Sequence, residues 1–318
     1  MRCSLPMTKR KTLVPFLLAV LLCAVAAPSR ADGIASSTEL FLQLSSRPEA
    51  KIGANRSYVI PFLQGTGPLT RDNNIRTAFS AELSPISLNA ATELTWTPVA
   101  FFQLAGGARA GSGWNIELFG KEIRGYGINR PRSALDPAKE TVSSPFGGLL
   151  WNAFGGGALQ FDLGALFPGD WNHIVFRAYQ ELRYKGNSSA GSRDSWYFEN
   201  DDGENRNGFI TYGSYVLGYQ MPLKLNMIGL MAEMTRLLYD TPGREIWGDD
   251  LTQWMLSALA NYTLTEDLSA TLIVQARTRR NYISGDNDTF YQARILNENN
   301  KRHLEFFRVA LILNYRLR

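Results

Sequence analysis

Near its end the chain carries the stretch Phe307-Arg-Val-Ala-Leu-Ile-Leu-Asn-Tyr-Arg-Leu317. Phe307, Val309, Leu311, Leu313, Tyr315 and Leu317 alternate with Arg308, Ala310, Ile312, Asn314 and Arg316. In an extended strand, successive side chains point to opposite faces, so this segment has one apolar and aromatic side and one wetter side. Working backwards, the same dyad recurs. Leu268, Ala270, Leu272, Val274 and Ala276 oppose Ser269, Thr271, Gln275, Arg277 and Arg279. Trp254, Leu256, Ala258, Ala260 and Tyr262 oppose Gln253, Ser257, Asn261 and Thr263. Segments 173–185, 75–83 and 88–96 alternate likewise, whereas 208–220 and 223–240 are apolar on both faces.

These patterns predict an all-β chain with strands at 36–45, 54–64, 75–84, 88–97, 99–110, 146–164, 172–186, 208–220, 223–240, 251–264, 267–283 and 303–317. Pro98 lacks a backbone donor, which a closed sheet does not tolerate, so a turn is expected at Thr97–Pro98. That gives twelve strands. If Pro98 or Pro85 sits in a bulge and 36–45 is a tail or plug, the count is ten. Short connections near Leu166–Trp171, Gln220–Pro222 and Thr265–Asp267 alternate with long polar ones near 111–145, 187–207, 241–250 and 284–302. The Gly155-Gly156-Gly157 run reads as a point of sharp sheet curvature.

At the other end, Lys9, Arg10 and Lys11 precede an apolar run from Leu13 to Ala27, and Ser29-Arg30-Ala31 offers small residues at a cleavage site. This is the layout of a secretory signal peptide, 1–31, with Met1 or Met7 as the start. The run is shorter than the roughly 20 residues a spanning helix needs. Both cysteines, Cys3 and Cys23, lie in this leader. So do five basic residues (Arg2, Lys9, Arg10, Lys11, Arg30) and no acidic one, which leaves 28 basic against 29 acidic residues in 32–318. The formal charge of +4 therefore belongs to the leader and gives no argument for nucleic acid. No later stretch approaches 18 consecutive apolar residues, and no linker divides 32–318, so it is read as one domain.

A soluble sandwich would also alternate, with its apolar face inward. Three features favour a closed transmembrane barrel. The polar faces carry mixed charges that suit a hydrated lumen. Aromatic residues (Trp96, Trp114, Trp151, Trp171, Tyr184, Tyr262, Tyr282, Tyr315) fall at strand ends, where interfacial girdles need them. The chain ends on a strand, and a sheet in lipid must close because unpaired backbone there costs several kcal/mol per group.

The segment Ala310-Leu-Ile-Leu-Asn-Tyr-Arg-Leu-Arg318 resembles the C-terminal signal strand of small bacterial outer-membrane β-barrels, the porin-like and adhesin-like class, although it ends in arginine rather than an aromatic residue. Leu94-Thr-Trp-Thr-Pro-Val-Ala-Phe-Phe-Gln-Leu104 with Gly111-Ser-Gly-Trp114 is similar to segments of spirochaete outer-membrane proteins. The resemblance implies export to the outer membrane of a diderm bacterium, short periplasmic turns, long outer loops, and outer-membrane lipid and barrel-assembly machinery as partners.

The candidate lumen-lining charges are Arg76, Glu82, Glu93, Asp162, Arg177, Glu181, Arg183, Glu233, Arg277, Arg279, Arg308 and Arg316. The arginines either attract anions or pair with Glu82, Glu93, Asp162, Glu181 and Glu233, and pairing with a narrow passage is expected, since small barrels fill with side chains. Asn200, Asp201, Asp202, Glu204 and Asn205 do not fit calcium-loop spacing and read as a solvated acidic loop. Trp196, Tyr197 and Phe198 are candidates for a loop binding surface, or fold back into the mouth of the barrel. Neither His173 nor His303 has a serine or aspartate beside it in a hydrolase pattern, so no enzyme, cofactor or metal is expected. The reading is a porin-like or structural barrel passing small solutes narrowly. The alternative is an adhesin or receptor acting through its long loops on a surface ligand.

Overall fold

A computed structural model describes residues 33–47, 49–199, 201–285 and 288–317. The expected leader, 1–31, lies outside the described residues. Twelve antiparallel strands form one closed barrel. They are β1 Ala35–Ser45, β2 Ala50–Pro61, β3 Asn74–Ser84, β4 Ser87–Val99, β5 Phe102–Gly113, β6 Leu150–Asp162, β7 Ile174–Asn187, β8 Gly208–Gln220, β9 Leu225–Leu237, β10 Gln253–Thr263, β11 Leu268–Arg280 and β12 Arg302–Leu317. Each pairs with its chain neighbours, and β1 closes on β12 from Thr38↔Leu317 to Ser45↔Ala310. The strand at the chain's start is thus part of the wall, and the count is twelve. Closure gives every wall strand two hydrogen-bonded neighbours, as lipid requires.

The apolar stripes point outward. Leu40, Leu94, Leu182, Leu230, Leu272 and Leu311 are all exposed on the outer face. In lipid that surface is covered, and in water it would be a large liability. Aromatic residues gather at both ends of the stripes. Trp151 stacks on Tyr184 at 5.1 Å, and Tyr184 meets Phe209 edge-on at 5.0 Å, near one end. Trp96 meets Phe62 at 6.4 Å near the other. Trp114 and Tyr282, expected in these girdles, fall outside the twelve strands instead. The dry clusters lie elsewhere too: Tyr126, Ile128, Leu150 and Trp196 form one, and Trp247, Phe290 and Tyr291 another. Tyr126, Ile128, Trp196 and all three members of the second lie in loops, so the close-packed core sits largely in the cap at one end of the barrel. Even strand number, outward apolar band, polar interior and long loops at one end are together the architecture of a bacterial outer-membrane barrel.

Two local details correct the sequence reading. Phe307 does not share the outward stripe. Gln275 pairs with Arg308 and Ala276 with Phe306, so Phe307 is the extra residue of a β-bulge, and it faces the lumen among Arg47, Arg277 and Arg308. Pro98 is not at a turn. It lies in the last residues of β4, where pairing slips between Trp96 and Val99, and the turn is at Ala100–Phe101. The missing donor is harmless there because the ladder has already lapsed. The Gly155–Gly157 run keeps continuous register with β7. A Cβ on Gly156 would lie 2.3 Å from the carbonyl oxygen of Gln180, so glycine permits the close approach there.

The four long loops (114–149, 188–207, 238–252, 281–301) share one end, together with the short turns 46–49 and 85–86. Both described chain ends lie at the opposite end, with the connections 62–73, 100–101, 163–173, 221–224 and 264–267. The expected alternation of long and short connections therefore holds from Ala100 onward, whereas before it the turns 46–49 and 85–86 at the loop end are short and 62–73 at the other end is long.

Candidate functional site: the barrel mouth and lumen

The loop after β7 turns inward rather than out. Its strand Ser195–Phe198 pairs with Tyr126–Pro131, which pairs in turn with Lys139–Val142, making a three-stranded sheet across the mouth. Trp196 and Tyr197 are only 5% and 1% exposed. The Tyr197 hydroxyl accepts from Asn115 Nδ2 at 2.8 Å, and the Trp196 indole donates to Asn207 Oδ1 at 3.3 Å. Gly127 has to be glycine: a Cβ there would lie 2.4 Å from the Tyr197 ring. The Trp196-Tyr197-Phe198 triplet is therefore packing, not an exposed binding surface.

Directly after Phe198 the chain enters the lumen, and its carboxylates meet bases of the wall. Glu199 lies 2.5 Å from Lys51 on β2 and accepts from Ser87 Oγ at 2.8 Å and Asn89 Nδ2 at 2.7 Å on β4. It does so at a φ of 54°, a left-handed conformation that costs a non-glycine residue about 1–2 kcal/mol. Asp202 lies 2.9 Å from Arg277 on β11. Glu204 bridges Arg280 at 2.7 Å and Arg294 at 2.6 Å. A loop anchored between β7 and β8 is thus tied to β2, β4 and β11 and crosses the barrel. The expectation of a solvated acidic loop is corrected: these acids are drawn inward because the wall offers the matching charges.

Burial raises the Glu199 carboxyl, but Lys51 and the Ser87 bond outweigh it, so the group titrates below its ordinary range. Asp201 is the opposite case. Burial pushes it up to about 6, against the lowering effect of the Gly203 N–H, Asn205 and Lys185. Behind the segment, Arg206 pairs with Asp249 and lies 4.4 Å and 4.6 Å from the rings of Tyr239 and Tyr291. With Arg280 3.7 Å from Asp249, this network ties the loops 188–207, 238–252 and 281–301 into one cap.

The sequence-predicted lumen charges divide into three groups. Glu82, Arg183, Glu181, Arg277, Arg279 and Arg308 are held in pairs inside the barrel. Their partners are partly ones the sequence did not suggest: Arg109 for Glu82, Glu305 for Arg277 and Arg279, and Glu49 for Arg308. Arg76, Arg177, Glu93 and Glu233 face the lumen without an opposite charge at ion-pair distance among the described residues. Glu233 instead accepts from the Tyr212 hydroxyl at 2.5 Å and Glu93 from Thr95 at 3.1 Å, while Arg177 lies over the Tyr179 ring at 5.1 Å. Asp162 and Arg316 belong to the rim at the end where the described residues begin and end. Asp162 meets His173 at 2.7 Å, and Arg316 meets Glu39 at 3.5 Å. The missed residues had weak signals: Lys51 opens a strand, and Arg109 sits in the small-residue run 105–111.

Two of the resulting cavities lie one above the other. An upper one of about 810 Å³ is lined by Lys51, Glu82, Arg109, Glu199, Asp202, Arg277, Phe307 and Arg308. A lower one of about 520 Å³ is lined by Arg76, Glu93, Arg109, Arg177, Glu181, Arg183 and Tyr212. Arg109 lines both, so the two adjoin along the barrel axis.

No protein-family profile matches the chain, and no curated protein matches it. Among solved structures, the NanC porin aligns over 88% of this chain and 98% of its own at 5% identity and a TM-score of 0.39. The β-domain of the Bordetella autotransporter BrkA aligns over 90% and 99% at 12% identity and 0.39. A deletion mutant of TodX, a monoaromatic hydrocarbon channel, aligns over 92% and 93% at 10% identity and 0.36.

Proposed function

We propose that this chain is a porin-like barrel that passes small solutes through a passage narrowed by its own infolded residues, Glu199 and 201–205. The observation that carries the reading is the set of ion pairs from that segment to β2 and β11, Glu199–Lys51 and Asp202–Arg277, above a polar cavity. A purely structural barrel needs neither a wet cavity nor charged walls. Export by the 1–31 leader, insertion by barrel-assembly machinery and residence in outer-membrane lipid complete the proposal, and it is non-catalytic. His303 meets Asn281 and Glu305 rather than a hydroxyl nucleophile. Conductance in planar bilayers tests it. Small, steady steps are expected, and removal of 199–204 enlarges them. A folded protein that is silent both before and after that deletion contradicts the reading.

The loop-binding alternative keeps one supporting observation, the almost fully exposed Phe119 and Leu135 in the loop after β5. Removing both side chains tests it against surface attachment while leaving conductance unchanged.

A further inference from the structure

The lower cavity has a charge pattern that the wall does not settle internally. Four guanidinium groups, Arg76, Arg109, Arg177 and Arg183, face it from β3, β5 and β7. Arg109 is taken by Glu82 and Arg183 by Glu181. Among the lining residues these four cations stand against two carboxylates, Glu93 and Glu181, while Glu82 and Glu233 border the cavity through Arg109 and Tyr212; Arg76 and Arg177 have no carboxylate at ion-pair distance among the described residues. The opposite wall differs. There the register puts Leu259, Ile273 and Ile312 on the lumen side of β10, β11 and β12. One half of the passage is therefore cationic and hydrogen-bonding, and the other is apolar at its middle.

We propose that the lower lumen is a binding site for small organic anions. The carboxylate sits on Arg76 and Arg177, and the apolar or ring-bearing body lies toward the opposite wall. This rests on the barrel being a solute passage and adds the class of solute. Guanidinium groups suit the task because they present paired donors to a carboxylate and stay charged at all relevant pH. Charged walls also set the sign of the ion that a narrow pore admits, and enclosure between low-dielectric walls strengthens their field. Arg177 is further held by the Tyr179 ring, which limits its freedom and favours a preformed site.

The test uses benzoate and its neutral isostere benzamide, titrated calorimetrically into the folded protein in detergent, with heat-modifiable gel migration as the folding check. Benzoate is expected to bind at least about tenfold more tightly than benzamide, and Arg76→Gln with Arg177→Gln is expected to erase that difference. Glu93→Gln removes a competing charge and moves the affinity the other way, which a misfolded variant cannot imitate. In bilayers the unaltered protein is expected to prefer chloride over potassium, and the double variant, with two of the four lining cations removed, to lose that preference. Equal binding of benzoate and benzamide overturns the proposal, as does cation preference in the unaltered protein. If the barrel conducts without anion preference, the solute class is wrong and the passage stands. If it does not conduct at all, the calorimetric difference still decides the site.

Discussion

Replacing Glu199 by alanine removes the tip contact of the infolded segment, and its consequence follows from the geometry. Three interactions disappear: the ion pair to Lys51 and the hydrogen bonds from Ser87 and Asn89. A hydrogen bond to a charged group contributes about 1.5–3 kcal/mol net. An exposed ion pair adds up to about 1 kcal/mol. Two such bonds and the pair sum to about 3–7 kcal/mol, and with the Lys51 and Glu199 side chains about a fifth exposed the low end, about 3 kcal/mol, is taken. At 1.4 kcal/mol per factor of ten, the ratio of inserted to released segment falls roughly 140-fold. The left-handed strain at a φ of 54° is common to parent and variant, so it leaves that ratio unchanged. Single-channel recording reads this as larger, noisier conductance than the parent. Glu199→Gln, which keeps the acceptor but loses the charge, is expected between the two. If the alanine variant folds and its conductance level and noise equal those of the parent, the inserted segment does not restrict the passage.

The raised Asp201 carboxyl makes cap stability fall as pH rises: its contribution is fully present below the ordinary value of 3.8 and is lost as pH passes through about 6. Limited proteolysis in the 188–207 loop should therefore be slower near pH 4.5 than at 7.5, and a rate that is flat or opposite in sign contradicts this. Val274→Arg places a charge at the middle of β11 on the lipid face, and should cost about 2–4 kcal/mol in refolding into bilayers, measured by urea titration. Gly127→Ala forces a methyl group into the Tyr197 ring, so the sheet across the mouth should loosen by about 1–3 kcal/mol, seen as faster amide exchange at 195–198.

The wall was legible because alternation reports which face each residue takes, and burial by lipid is indifferent to which apolar residue supplies it. Leu268 to Arg279 could be read by eye for that reason. The single failure of parity, Phe307, comes from one inserted residue whose bulge is invisible without the partner strand. The lumen was legible as charge but not as pairing. Lys51 and Glu199 lie 148 positions apart, and period two says that a residue faces inward without saying what it meets. Expected partners such as Glu93 for an arginine failed because, along the tilted strands, position on a face does not fix height. The loops were least legible. Trp196-Tyr197-Phe198 has the composition of an exposed patch and of a buried strand alike, and only the Tyr126–Pro131 strand beside it decides between them.

Neighbouring residues of β3 report which face of the wall meets lipid and which meets water. Residues 32–318 contain no cysteine, so single cysteines can be placed and labelled cleanly. Phe79 is exposed on the outer face, and the next residue, Ser80, lines the lower cavity. With a bimane label at Phe79→Cys or Ser80→Cys in liposomes, brominated lipid is expected to quench the first and spare the second, while aqueous iodide does the reverse. Iodide quenching at 79 with lipid silent, or equal quenching at both positions, would mean that the apolar stripes do not face a membrane.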